Sequence, residues 1–157
     1  MSPPRILIAG VGNIFLGDDA FGAEVARRMA GRTQLPGVRV ADFGIRGIDL
    51  AYALMDGYDR VIFVDAMRRG EPPGTLSVIE PSTPGSGAMD THEMTPAKVL
   101  ACAKSLGANV SNVLIVVCEP ESCEPQMGLS ETVEAAVEEA IALVESAALR
   151  GLEAAHA

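Results

Sequence analysis

The chain has 157 residues, which is the length of one domain with a single sizeable core. Its formal net charge of −9, from 21 acidic against 12 basic residues, argues against binding to nucleic-acid phosphates or to an anionic membrane surface. No apolar stretch reaches the roughly 18 residues of a membrane span. We therefore expect one domain over 1–157, with its core at about residues 5–149 and a short tail at 150–157.

The first half of the chain alternates apolar runs with helical patterns. The run Arg5–Ala9 stops at a glycine, as buried strands often do. A helix follows, in which Phe21, Val25 and Met29 recur every four residues. A second strand is predicted over Val38–Phe43 and a short helix over Ile48–Met55.

The second half repeats this alternation around one long loop. Strands are predicted over Arg60–Asp65, Thr75–Ile79 and Asn112–Cys118, and helices over Pro96–Leu106 and Glu131–Leu149. Thr95 and Ser130 are the expected N-caps of these two helices. The segment Glu80–Thr91 is rich in Pro, Gly and Ser, which predicts a loop that ends at His92. Strands that alternate with helices indicate an α/β fold of three layers, with a mostly parallel sheet between helices.

The three cysteines are Cys102, Cys118 and Cys123. Their odd number and the absence of a C-x-x-C pair argue against a disulfide framework or a four-thiolate zinc site. Free thiols suit a reducing compartment, and the N-terminus lacks the features of a signal peptide. We therefore predict a cytoplasmic protein.

Carboxylates follow the ends of the predicted strands, where ligands bind in parallel α/β sheets. The residues in question are Asp18 and Asp19 after the first strand, Asp42 and Asp65 in the next two, and Glu119 after the last long one. This clustering is the most informative feature of the sequence. It predicts a polar site at one edge of the sheet.

The residues after the first predicted strand have two simpler interpretations than a polar functional site. Gly10 and Gly12 suggest a dinucleotide-binding loop, but Phe15 occupies the position of its third glycine. The adjacent carboxylates would also repel a phosphate. Either Asp18 or Asp19 could instead cap the following helix, which would leave the other one free.

Asp65 and His92 have the residue types of metal ligands. Asp65 ends an apolar strand, and a buried carboxylate is costly unless it is paired or bound to a metal. His92 is one of only two histidines and follows the long loop. Together with Asp19 they would form an oxygen and nitrogen site with open positions, which suits first-row divalent metals. A solvent-exposed loop histidine is the alternative for His92.

Four segments, in this order, resemble the [NiFe]-hydrogenase maturation endopeptidases. They are Gly10–Gly22 (GVGNIFLGDDAFG), Asp42–Gly44 (DFG), Val64–Ala66 (VDA) and Pro120–Ser130 (PESCEPQMGLS). The resemblance spans about residues 5–145. It implies a twisted, mostly parallel five-stranded sheet between helices. It also implies an enzyme that removes a C-terminal peptide from the nickel-loaded hydrogenase large subunit.

By motif position, the resemblance implies that Asp19, Asp65 and His92 bind the metal. The first of these is usually glutamate in the family, so Asp19 is one methylene shorter. The second motif usually reads Asp-Gly-Gly-Thr, whereas this chain has Asp42-Phe-Gly-Ile45 followed by Arg46, and Phe43 and Arg46 bear on which large subunit is accepted. The resemblance implies that the metal is nickel carried by the substrate, with another divalent metal as the alternative for the isolated protein.

Two mechanisms and one other function remain open at this point. Either the metal polarises the scissile carbonyl or activates water, or it only positions the peptide while a carboxylate acts as general base. Asp42 is the candidate base, with Asp18 as another. The alternative function is a nickel- or peptide-binding assembly chaperone without cleavage. A large-subunit precursor is the expected partner, and a monomer would suit docking against it.

Overall fold

A computed structural model describes residues 3–33, 35–81 and 95–156. Five strands form one sheet in the order β2-β1-β3-β5-β4. Their bounds are Ile6–Val11 (β1), Val38–Gly44 (β2), Arg60–Ala66 (β3), Leu76–Ile79 (β4) and Val113–Cys118 (β5). All neighbouring strands are parallel except β4, which runs antiparallel to β5 at one edge. The predicted α/β fold with a mostly parallel five-stranded sheet is confirmed.

The helices lie close to their predicted positions, with one break. Their bounds are Phe21–Ala30 (α1), Gly47–Ala53 (α2), Pro96–Ser105 (α3), Glu131–Glu134 (α4) and Val137–His156 (α5). Thr95 and Ser130 are the N-caps of α3 and α4, as predicted, and accept hydrogen bonds from Lys98 N and Val133 N. The single helix predicted at 131–149 is thus two helices. None of the helices described is long and apolar enough to cross a membrane.

Both faces of the sheet are covered, because successive strand residues point to opposite sides. Ile6, Ile8 and Val64 belong to a core that α1 and α5 close. Leu7 and Phe63 point the other way, into a second core that α2 and α3 close. The apolar runs of β1, β3 and β5 have this cause, since both of their faces are largely covered, whereas β2 and β4 at the sides of the sheet are partly exposed.

The last helix is longer than the sequence predicted. Residues 150–157 were expected to form a tail, yet α5 continues to His156. Gly151 is buried there, and a methyl group in its place would lie 2.8 Å from Arg60 Cδ and 3.0 Å from Ile6 Cδ1. Leu152 also packs against the core. The helix continues because Gly151 and Leu152 pack against the sheet where β1 and β3 begin.

Glutamates of α4 and α5 pair with arginines in α1 and just after it. Arg28 donates to Glu134 at 2.6 Å, and Arg32 contacts Glu138. Arg28 also bonds Glu24 on its own helix at 2.8 Å. The pairs are largely exposed, so each contributes little to stability, but they set α1 against the α4–α5 region in a fixed register.

Candidate active site

Glycines bring the start of α1 against the ends of the strands. A methyl group on Gly22 would lie 2.0 Å from the Val64 carbonyl oxygen and 2.4 Å from that of Val11. Gly12 has φ +143°, and a methyl group there would lie 1.9 Å from the Asp19 carbonyl oxygen. Larger residues would therefore push the helix away from the sheet. The glycine motif places a carboxylate at the strand ends instead of cradling a phosphate.

Asp19 is half-buried above the end of β1. Its Oδ2 accepts a hydrogen bond of 2.9 Å from Asn13 N, and the Asn13 side chain in turn accepts one of 2.9 Å from Phe15 N. Asp18 and Asp19 lie inside a short 3-10 helix, Gly17–Ala20, and the N-cap of α1 is Ala20, so neither aspartate caps α1. The capping interpretation of the two aspartates was wrong. Asp19 instead closes the loop after β1.

Asp65 is the penultimate residue of β3 and is 7% exposed. Its Oδ1 accepts a hydrogen bond of 2.9 Å from the neighbouring Ala66 N. Burial and the nearby charge of Asp19 raise the pKa of Asp65 well above its ordinary value, and the Ala66 bond opposes this only in part. A buried carboxylate that accepts one hydrogen bond from the described residues is stabilised either by a proton or by a cation.

Asp19 and Asp65 therefore lie near the carboxyl ends of β1 and β3, close enough for the charge of Asp19 to act on Asp65. A divalent cation suits such a pair, because it compensates both charges and prefers oxygen ligands. Among the described residues no three His, Cys, Asp or Glu side chains form a group that could hold a metal. The third predicted ligand, His92, lies outside the described residues. The three-residue site stays a prediction.

Asp18 has a role that the sequence reasoning missed. Its carboxylate is fully buried and accepts four hydrogen bonds of 2.7–3.2 Å, from Glu121 N, Ser122 N, Ser130 N and Ser130 Oγ. Burial opposes ionisation, but these four bonds outweigh it and lower the pKa of Asp18. With its lone pairs engaged, Asp18 is a poor base. It joins the loop after β1 to the loop after β5.

The rest of the loop after β5 is tied to its surroundings in the same way. Gln126 pairs with the loop after β1, donating to Phe15 O at 3.0 Å and accepting from Gly17 N at 2.9 Å. Glu119 is 7% exposed, and its Oε1 accepts from Arg69 N at 2.7 Å and Glu71 N at 3.2 Å. The segments around Asp19 and Asp65 are thus held by buried carboxylates.

Asp42 is exposed at the end of β2 and pairs in register with Gly10 of β1. Its Oδ1 accepts a hydrogen bond of 2.8 Å from Gly44 N. Phe43 is only 5% exposed and belongs to the second core, so this departure from the family motif is a packing feature. Arg46 is exposed and donates to the carbonyl oxygens of Phe43 and Asp42 at 3.2 and 2.6 Å.

Cys118 and Cys123 are unsuited to nucleophilic chemistry. Cys118 is buried, as predicted, and burial raises the pKa of its thiol to about 12. Burial also raises the pKa of Cys123, as does the charge of Asp19, against a weaker opposing effect of Arg68. A thiol reacts as its thiolate, so both groups are deactivated at neutral pH.

Known proteins share this arrangement of sequence and fold. The hydrogenase maturation protease family model matches residues 23–147. The chain is 36% identical over 157 residues to the hydrogenase 2 maturation protease of Escherichia coli (strain K12), with 96% of this chain and 94% of that protein covered. The chain belongs to the hydrogenase maturation protease family. Membership confirms the predicted class of enzyme, a peptidase of hydrogenase maturation.

Solved structures of the family agree with the fold. The hydrogenase maturating endopeptidase HybD from E. coli superposes with a TM-score of 0.77 at 34% identity, and the match covers 91% of both chains. A [NiFe] hydrogenase maturation protease HycI from Thermococcus kodakarensis KOD1 gives a TM-score of 0.74 at 29% identity, with 89% of both chains covered. Maturation proteases of bacterial and archaeal origin thus share this sheet and its helices.

Proposed function

We propose that the chain is an endopeptidase that removes the C-terminal extension of a nickel-loaded [NiFe]-hydrogenase large subunit and recognises the nickel as part of its substrate. One observation carries this proposal. The buried Asp65 carboxylate lies beside the charge of Asp19, with only the Ala66 amide donating to it among the described residues. A cation delivered by the substrate would compensate both carboxylates when the complex forms.

Asp19, Asp65 and His92 are the proposed protein ligands of the nickel, and the large subunit's own ligands fill its other positions. Recognition then depends on nickel having been inserted, because an empty large subunit offers no cation to the carboxylates. Asp19 reaches less far than the glutamate usual in the family, and its bond from Asn13 N limits its freedom further. In the isolated protein, another divalent metal could occupy the same ligands.

Hydrolysis requires that water attacks the scissile carbonyl carbon, that the C–N bond breaks and that a proton reaches the departing amine. In one variant of the proposal, the nickel polarises the carbonyl or activates the water. In the other, an aspartate takes the proton from water and passes it to the amine, as in an aspartic-type peptidase. Asp42 is the proposed base of this second variant.

The position of Asp42 bears on the choice between these variants. Asp42 lies near the end of β2, which is two strands from the β3 residue Asp65, or about 10 Å at the usual strand spacing. A general base must lie within hydrogen-bond reach of the water it activates. The peptide would have to lie across β1 for Asp42 to serve, which favours chemistry directed by the metal.

We place the reaction in the cytoplasm and expect the free enzyme to be a monomer. Cys102, Cys118 and Cys123 are all free thiols, which suits a reducing compartment. The net charge of −9 supports a protein partner over nucleic acid or an anionic membrane.

The decisive experiment incubates purified enzyme with the large-subunit precursor from the same genome, with and without nickel, and measures the precursor mass by mass spectrometry. We expect trimming only with nickel, and a loss of at least about 100-fold in rate for Asp65→Asn and His92→Ala. Asp49→Asn, an exposed carboxylate on α2, is the matched control. Trimming by Asp65→Asn at the wild-type rate would overturn the site. Binding of the nickel-loaded precursor without peptide release would instead identify the assembly chaperone.

A further inference from the structure

Several large apolar side chains stand in solvent beside the candidate active site. We name this set the apolar rim, and it consists of Ile14, Phe15, Ile45 and Met127. These residues are 45, 63, 65 and 65% exposed, respectively. Single exposed apolar residues are common, but several clustered on one face usually mark an interaction surface.

Two grooves show that members of the rim are neighbours. One, of about 270 Å³, is lined by Ile14 and Phe15 from the loop after β1 and by Ile45 from the end of β2. The other, of about 450 Å³, is lined by Ile14 and Met127. Asp42 lines both grooves. Three segments distant in sequence therefore contribute to one apolar surface.

The backbone beneath the rim is fixed by hydrogen bonds. Gln126 N donates to Phe15 O at 3.0 Å, and Gly12 N donates to Gly44 O at 3.0 Å. Arg46 N donates to Phe43 O at 2.8 Å. The side chains are thus held in solvent by an ordered scaffold, so binding there costs little loop ordering.

We propose that the apolar rim is the docking surface for the folded body of the hydrogenase large subunit. This inference rests on the proposed function, since the substrate must bring its peptide bond to Asp19 and Asp65. The rim is continuous with that site, because Phe15 donates to the Asn13 side chain and Asn13 N holds Asp19. A folded protein whose tail enters the site must cover the surface around it.

Charge defines the chemistry of the partner surface. Arg46 is engaged with Asp49 and with two backbone carbonyls, whereas the exposed Asp42 carboxylate receives only the Gly44 amide among the described residues. We therefore expect the large subunit to present an apolar patch with a lysine or arginine at its border. Aromatic and aliphatic anchors at the centre of such an interface carry most of the binding energy.

The test compares Phe15→Ala, Ile45→Ala and Met127→Ala, singly and together, with Leu149→Ala and Val78→Ala as controls. The control side chains are 46 and 45% exposed but lie on α5 and on β4. Dissociation constants for nickel-loaded precursor are compared as ratios within an Asp65→Asn background, which prevents cleavage and weakens nickel binding equally in every variant, and kcat and KM are measured in the active enzyme. Circular dichroism and thermal midpoints confirm that each variant folds.

We expect each rim variant to weaken precursor binding and raise KM about tenfold, the combined variant to do so more than 100-fold, and kcat and both controls to stay near wild type. Unchanged dissociation constants, or a loss confined to kcat, would overturn the inference.

Sedimentation equilibrium tests whether a second copy of this chain covers the rim instead. A wild-type dimer that the combined variant converts to monomer would assign the rim to a second copy and refute docking of the large subunit. Failure of the proposed function is distinct, since wild-type enzyme would then leave the precursor uncut whatever the rim binds.

Discussion

Replacing Asp18 with asparagine tests whether one buried carboxylate holds the two loops of the site together. Oδ1 accepts from Ser130 N, and Oδ2 accepts from Glu121 N, Ser122 N and Ser130 Oγ. The amide of asparagine has one oxygen, so either orientation leaves at least one buried backbone N–H facing an NH₂ group. An unsatisfied buried donor costs about 1–3 kcal/mol, and the remaining bonds lose their charge assistance. We expect Asp18→Asn to lower the free energy of unfolding by about 3 kcal/mol.

Urea unfolding followed by circular dichroism measures this loss, with Asp56→Asn, an exposed aspartate, as the matched control. With a slope near 2 kcal/mol per molar urea, the midpoint should fall by about 1.5 M for Asp18→Asn. The control should stay within about 0.5 kcal/mol of wild type.

The pH dependence gives an independent check. The hydrogen bonds lower the pKa of Asp18 in the folded state despite its burial, so the stabilisation is complete above the ordinary value of 3.8. It is lost as the pH falls through the lower folded value. The difference between wild type and Asp18→Asn should therefore shrink in strong acid. A loss below about 0.5 kcal/mol at neutral pH, or a difference that does not change with pH, would refute this account of Asp18.

Three further predictions follow from the site and the sheet. Because the folded state raises the pKa of Asp65, wild-type stability in the presence of a chelator should fall as the pH rises from 3.8 through the raised value. Urea midpoints measured across this pH range should show no such fall for Asp65→Asn. An equal fall in the variant would mean that Asp65 is not the group responsible. Gly22→Ala should cost about 3 kcal/mol or more, because its methyl group would lie 2.0 Å from Val64 O, while Gly31→Ala, whose methyl meets nothing closer than 3.7 Å, should cost little. Cys118, with a thiol pKa of about 12, should resist iodoacetamide at pH 8 in the native state, and mass spectrometry showing rapid labelling would mean that the end of β5 opens.

The sheet could be predicted because β1, β3 and β5 are apolar on both faces and the strands β1, β2, β3 and β5 are separated by helical patterns. The antiparallel direction of β4 could not be predicted, because the residues of a short strand such as Leu76–Ile79 do not indicate in which direction it pairs. The extension of α5 to His156 also escaped prediction, because it depends on Gly151 meeting Ile6 and Arg60, which lie far away in sequence.

The candidate site could also be predicted only in part. That Asp19 and Asp65 would lie near each other could be predicted, because the carboxyl ends of parallel strands share one edge of the sheet. The role of Asp18 could not, because its partners are 103 to 112 residues away along the chain. The resemblance drew attention to Phe43 as a departure from the motif, but only the packing shows that its ring is buried. His92 as a ligand and Asp42 as a base stay predictions.

The Asp18 carboxylate has a consequence for the exchange of backbone protons with solvent. The amides of Glu121, Ser122 and Ser130 belong to no helix or strand, and loop amides usually exchange rapidly. Here the three amides donate to the Asp18 carboxylate. These hydrogen bonds break only when the buried contact between the loop after β1 and the loop after β5 opens. Their protection should therefore approach that of the central strands, so that a stretch without regular secondary structure opens only with the core.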